Sequence, residues 1–75
     1  MNIAQELDLK GFTCPVPLLR TKKALKNMAS GDLLKLMITD PNTKSDLARF
    51  CQRGSCQVIE ESKNTDHDIY IIKKL

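Results

Sequence analysis

A chain of 75 residues, 41% hydrophobic and 28% charged, describes a single small globular domain over residues 1–75 rather than a disordered segment. Such a domain buries only roughly 60% of the surface its unfolded chain exposes, so it can build one two-layer core and no large cofactor cleft. The net charge of +3 is mild, and two phenylalanines and one tyrosine are too few for a base-stacking platform, so no stable nucleic-acid complex is expected.

No apolar run approaches the roughly 20 residues of a membrane span, and the N-terminus lacks a signal peptide's apolar core. A cytoplasmic protein without a membrane partner is the expectation. Residues 1–4 read as a loose lead-in. Leu7 and Leu9 then alternate with Asp8 and Lys10, the period of a strand, over residues 5–9. Gly11 and Thr13 turn the chain into a helix from Pro15 to about Met28, whose apolar positions Leu18, Leu19, Ala24, Leu25 and Met28 recur at helical spacing. Pro15 and Pro17 suit the first turn, where a missing N–H has no intrahelical partner to lose. Arg20, Lys22, Lys23 and Lys26 lie off the apolar stripe. They read equally as the wet side of an amphipathic helix and as a docking face for an acidic surface or RNA.

Ser30-Gly31-Asp32 stops this helix. Residues 33–39 form the clearest strand, with Leu34, Leu36 and Ile38 on one face. Leu33 and Met37 share the other with Lys35 and Thr39, so that side is half-solvated. Asp40-Pro41-Asn42 reads as a turn. Thr43 with Asp46 three residues on resembles a capping box opening a second helix over residues 44–53, its inner face Leu47, Ala48, Phe50 and Cys51. Gly54 ends it. A third strand over residues 56–61 centres on Val58 and Ile59, and a polar loop leads to a last strand over residues 69–73. The order β-α-β-α-β-β predicts an α/β (α+β) two-layer sandwich: a four-stranded mixed sheet with both helices on one face, strands one and two parallel, the last two a hairpin.

Chemistry concentrates at Cys14, where a strand hands over to a helix. The positive end of the helix dipole and the free amides of Val16 and Leu18 would favour an anion there, so Cys14 is expected to be the most acidic thiol of the chain. An odd number of cysteines argues against a disulfide framework, and free thiols are expected. Cys51 reads as a core residue at a helix C-terminus, with a Cys51–Cys56 bridge the less favoured reading. Cys51-x4-Cys56 and a lone His67 do not make a metal site, and no cofactor is implied. No Cys-His or Ser-His-Asp constellation is evident, which suits a relay of a group on a thiol better than a self-sufficient hydrolase.

The Cys-Pro-x-Pro motif at Cys14, Pro15, Val16 and Pro17, followed by Leu18, resembles that of the TusA-like (SirA-like) sulfur carriers. The likeness continues through Asn27-Met28, Ser30-Gly31-Asp32 and Asp40-Pro41-Asn42-Thr43 to Phe50-Cys51, covering the chain from about Leu7 to Lys73. It implies a two-layer α/β sandwich whose Cys14 carries sulfane sulfur as a persulfide. The donor would be a cysteine desulfurase or another sulfurtransferase, and the acceptor a downstream protein. Asp40 and Phe50 match family positions near the partner-binding side, joining Arg20, Lys22 and Lys23 as candidate docking residues. Val16 stands where the tRNA-thiolation branch typically carries Glu, which leaves the pathway open among tRNA thiolation, sulfur oxidation, molybdenum-cofactor and selenium routes. A monomer is expected. The competing readings are a thiol redox protein using Cys14 with a second cysteine, and a non-catalytic RNA- or regulator-binding module.

Overall fold

Leu34, Leu36 and Ile38 project to one side of their strand and are fully buried, while Leu33, Lys35 and Met37 between them are half-exposed. That alternation makes this strand the centre of the molecule. The computed structural model describes residues 2–75. It runs β1 (Ile3–Leu9), α1 (Val16–Lys26), β2 (Leu33–Ile38), α2 (Pro41–Phe50), β3 (Cys56–Lys63) and β4 (Asp68–Lys74). The sheet order is β1-β2-β4-β3, with β1 parallel to β2 and the other pairs antiparallel. This is the four-stranded mixed sheet expected from the sequence.

The register carries the hydrophobic alternation from strand to strand. Leu36 pairs with Leu7 on one side and Tyr70 on the other, and Leu34 pairs with Ile72. These side chains form one core with Ala24, Leu25 and Met28 of the α1 region and Leu47 of α2. Both helices therefore cover the same face of the sheet, and the opposite face keeps Lys35 and Met37 half-exposed. Two polar residues, Thr21 and Thr43, are buried in this layer. Each is satisfied: the Thr21 hydroxyl donates to the Pro17 carbonyl (2.8 Å) and the Thr43 hydroxyl to the Asp40 carboxylate (3.0 Å). Beyond α1 the chain is tied to the end of β4, where the Gly31 amide donates to the Lys74 carbonyl (2.7 Å) and the Lys74 amide to the Asp32 carbonyl (2.9 Å).

Several boundaries differ from the expectation, each for a local reason. The first strand begins at Ile3, so part of the expected lead-in is paired with β2; Met1 lies outside the described residues. Helix α1 begins at Val16, with Pro15 as its N-cap. Helix α2 starts at Pro41, not after a turn, because Asp40 is the extended N-cap residue and Pro41 supplies the first helical position. Thr43 thus lies inside the helix, and Asp46 is not part of a capping box. After Phe50 the chain makes one wide π-type turn, Cys51–Ser55, completed by Gly54 at φ +93°, a conformation that L side chains rarely adopt.

That turn corrects the expectation of three free cysteines. It brings the Cα atoms of Cys51 and Cys56 to 4.6 Å, and the two are joined by a disulfide. An odd cysteine count argues against a framework but says nothing about one close pair on either side of a turn. Cys51 is half-exposed, not a buried core residue, and it is Cys56 that is buried. Strand β3 lies at the sheet edge, so Val58 and Ile59, expected as an apolar centre, are both exposed.

Leu36 tests this account of the core. Replacing it with Ala removes a fully buried side chain beneath both helices, and the expected loss is about 2–5 kcal/mol by chemical denaturation. A loss below about 0.5 kcal/mol, the scale of surface substitutions, would show that β2 is not the centre of the core.

Candidate functional site

Strands β1 and β2 run parallel and end together, with Leu9 paired to Ile38. The segments that leave them, 10–15 and 39–40, are therefore neighbours. Gly11, at φ +83°, turns the first segment, and its amide donates to the Thr39 hydroxyl (2.9 Å). The Phe12 amide returns to the Leu9 carbonyl (3.3 Å) and the Val16 amide to the Thr13 carbonyl (3.0 Å). Cys14 lies within the second of these turns, half-exposed, followed by a cis peptide bond to Pro15. It is the free cysteine of the chain.

Two carboxylates from the far side of the sequence hold it. Asp40 accepts a hydrogen bond from the Cys14 amide (2.9 Å), and Asp46 accepts one from the Cys14 thiol (Sγ–Oδ2 2.6 Å). The Asp46 hydrogen bond favours the protonated thiol and raises its pKa above the ordinary value; partial burial and the charges of Asp46 and Asp40 act in the same direction. This reverses the expectation of an acidified thiol. The Val16 amide is taken by Thr13, and the charges that reach the sulfur are negative. Asp40 itself is held below the usual carboxylate range, chiefly by the hydrogen bond from the Cys14 amide, with help from Thr43 and the first amides of α2.

Asp46, which holds the thiol, also lines a cleft of about 160 Å³ with Leu18, Lys22, Arg49, Phe50 and Arg53. The Lys22 ammonium lies 5.3 Å from the centre of the Phe50 ring, a cation–π contact across the cleft. Leu18, Lys22 and Phe50, three of the residues singled out in the sequence, therefore meet Asp46 here. Val16 is half-buried and Pro17 buried at the start of α1. Asp40 is engaged with the Cys14 amide and Thr43, so it supports the site from within.

Arg20 and Lys23 lie elsewhere. Both line a second groove with Gln5, Leu7, Ala24 and Asn27, on the β1 side of α1, and the Arg20 guanidinium sits 4.5 Å from the centre of the Phe12 ring. The basic residues of α1 thus divide between two sides of the helix, Lys22 on one and Arg20 and Lys23 on the other. Sequence reasoning missed Arg49 and Arg53 as part of the site. The signal was present: Asp46, Arg49, Phe50 and Arg53 follow the i, i+3, i+4, i+7 spacing of one helix face.

Among the described residues no cluster of three or more His, Cys, Asp or Glu side chains is placed to hold a metal ion. No helix among them is long and apolar enough to cross a membrane.

Two helices on one face of a four-stranded mixed sheet, with one free thiol at the turn into the first helix, define a small thiol-bearing α/β protein. The family model described as sulfurtransferase TusA matches residues 5–74, and the chain belongs to that family. It is 37% identical over 70 residues to the sulfur carrier protein TusA of Allochromatium vinosum, covering 93% of this chain and 92% of that one. It is 32% identical over 68 residues to the sulfur carrier protein TusA of a Pseudomonas putida strain, covering 91% and 85%. A crystal structure of a SirA-like protein from Desulfitobacterium hafniense has the same fold: the TM-score is 0.76 at 21% identity, over 93% of this chain and 95% of that one. The resemblance read from Cys14-Pro15-Val16-Pro17 and the two-layer fold it implied are both borne out.

Asp40 gives a pH-dependent test of the clamp. A carboxyl whose folded pKa lies below its unfolded value adds stability above the unfolded pKa, and that stability is lost as pH falls through the folded value. Asp40→Asn should therefore be less stable than the wild type at neutral pH, with the gap closing as both are titrated into acid. A gap that persists unchanged at low pH would contradict a charged, hydrogen-bonded Asp40.

Proposed function

We propose that this chain is a sulfur carrier that takes up sulfane sulfur on Cys14 as a persulfide and passes it to an acceptor protein. The observation that supports this most is that Cys14 alone of the three cysteines is unbridged, and that, half-exposed, it is joined through Asp46 to an open cleft. In the loading step Cys14 gives up its proton and its sulfur attacks the terminal sulfur of a donor's persulfide. A new S–S bond forms at Cys14, the donor's S–S bond breaks, and the electron pair and proton end on the donor's thiol. Release to the acceptor is the same exchange in the opposite sense. The donor is a cysteine desulfurase or another sulfurtransferase. The acceptor lies in tRNA 2-thiouridine synthesis or another sulfur-trafficking route, and the carrier acts as a cytoplasmic monomer without a cofactor.

The docking region for these partners is the cleft joined to Cys14 through Asp46, where Lys22, Arg49 and Arg53 surround the apolar surface of Leu18 and Phe50. An acidic loop with one apolar side chain fits that combination. The redox reading has less support, since Cys51 and Cys56 are bonded to each other and leave Cys14 without a resolving partner. A purely binding module would leave Cys14 dispensable.

Intact mass after incubation with a cysteine desulfurase and cysteine tests this directly. The wild type should gain one sulfur atom, removable by reductant, and Cys14→Ser should gain none. The double variant Cys51→Ser with Cys56→Ser should still load. Normal loading of Cys14→Ser would defeat the carrier reading.

A further inference from the structure

The hydrogen bond between Cys14 and Asp46 can exist in only one of the two states a sulfur carrier passes through. With Sγ only 2.6 Å from Oδ2, the carboxylate occupies the direction of the S–H bond. A terminal sulfur bonded to Sγ would stand roughly 2.05 Å from it, so it cannot lie along that line without colliding with the carboxylate. The carboxylate cannot retreat with its backbone. Asp46 is flanked on α2 by Leu47, 1% exposed, and the helix is anchored again by Thr43, 2% exposed. A persulfide is also more acidic than a thiol, so at neutral pH the loaded group is an anion with no proton to donate.

Building on the carrier reading, we infer that Asp46 is a positioning residue that stabilises the empty thiol and turns the loaded persulfide aside. In the empty carrier Asp46 accepts the S–H hydrogen bond. Loading replaces that bond with two anions side by side, and the terminal sulfur is forced off the Sγ–Oδ2 line. Freed from the thiol, the carboxylate faces Lys22, Arg49 and Arg53, the cations with which it already lines the cleft. Asp40, the other acid that acts on the thiol, holds the Cys14 amide in both states, because that bond does not involve sulfur. The net effect is a carrier that holds sulfur less tightly than an unguarded cysteine, and so gives it up more readily to an acceptor.

The exchange that reads this is Cys14 thiol plus glutathione persulfide giving Cys14 persulfide plus glutathione. The proton leaving Cys14 ends on the glutathione thiol, and no other reactant is needed. At equilibrium, followed by intact mass, Asp46→Asn should be loaded severalfold more than the wild type. Asp46→Ser, which also removes the charge, should behave alike. The alkylation profile of unloaded Cys14 against pH should move to lower pH in both variants, a change that a purely structural role for Asp46 would not produce. An unchanged or lower loading ratio, or an alkylation profile that stays in place, overturns the inference. If the wild type itself fails to load on Cys14, the carrier reading falls and this inference with it. If the wild type loads and the variants match it, only the role of Asp46 is lost.

Discussion

The Asp40 carboxylate accepts hydrogen bonds from the Cys14 amide and from the Thr43 hydroxyl, joining the turn before α1 to the first turn of α2. Asp40 is the N-cap of α2, two residues past the end of β2, so this one group fixes how the second helix leaves the sheet. If the bond is kept, the helix axis carries Asp46 to the thiol and Arg49 and Phe50 along the cleft wall. If it is lost, the thiol–Asp46 contact is the remaining hydrogen bond from the turn bearing Cys14 to α2 among the described residues. Charge-assisted hydrogen bonds to a backbone amide are stronger than neutral ones, which suits a role as the hinge pin of the site.

The sheet explains why those two turns meet. A parallel β1–β2 pair puts the C-terminal ends of both strands at the same edge, and in sheets with parallel strands the loops leaving those ends are where ligands bind. Leu9 and Ile38, the last residues of the paired strands, are buried beneath the loops that follow them. The core thus holds the floor of the site rigid while the thiol stays half-exposed above it. Lys22 and Phe50 close the cleft from α1 and α2, so the docking region is assembled from both helices.

The sequence made the scaffold legible because its signals are local. Alternation in Leu34, Leu36 and Ile38 marked the central strand, and Cys14 before two prolines marked the turn into α1. What escaped was contact between distant segments. Asp46 is 32 residues from Cys14, and nothing near the thiol announces that a carboxylate will accept its proton. The expectation of an acidic thiol followed from the helix start alone and was reversed by that contact. The Cys51–Cys56 bridge escaped for another reason, since it depends on a wide turn that closes only with Gly54 at positive φ. The start of α2 was readable: Asp40 followed by Pro41 is an N-cap and first-turn pair, and taking it for a turn displaced Thr43 and Asp46 into roles they do not have.

The account stands on the two carboxylates of the α2 region holding Cys14 as a protonated thiol in the empty protein. The most direct measurement is the titration of the Cys14 13Cβ resonance in the native protein, compared with the same nucleus in the urea-unfolded chain. The account predicts a native midpoint above the unfolded one, with the native thiol keeping its proton as pH rises through the ordinary thiol range. A native midpoint at or below that of the unfolded chain would contradict it, and would return Cys14 to the control of the helix dipole.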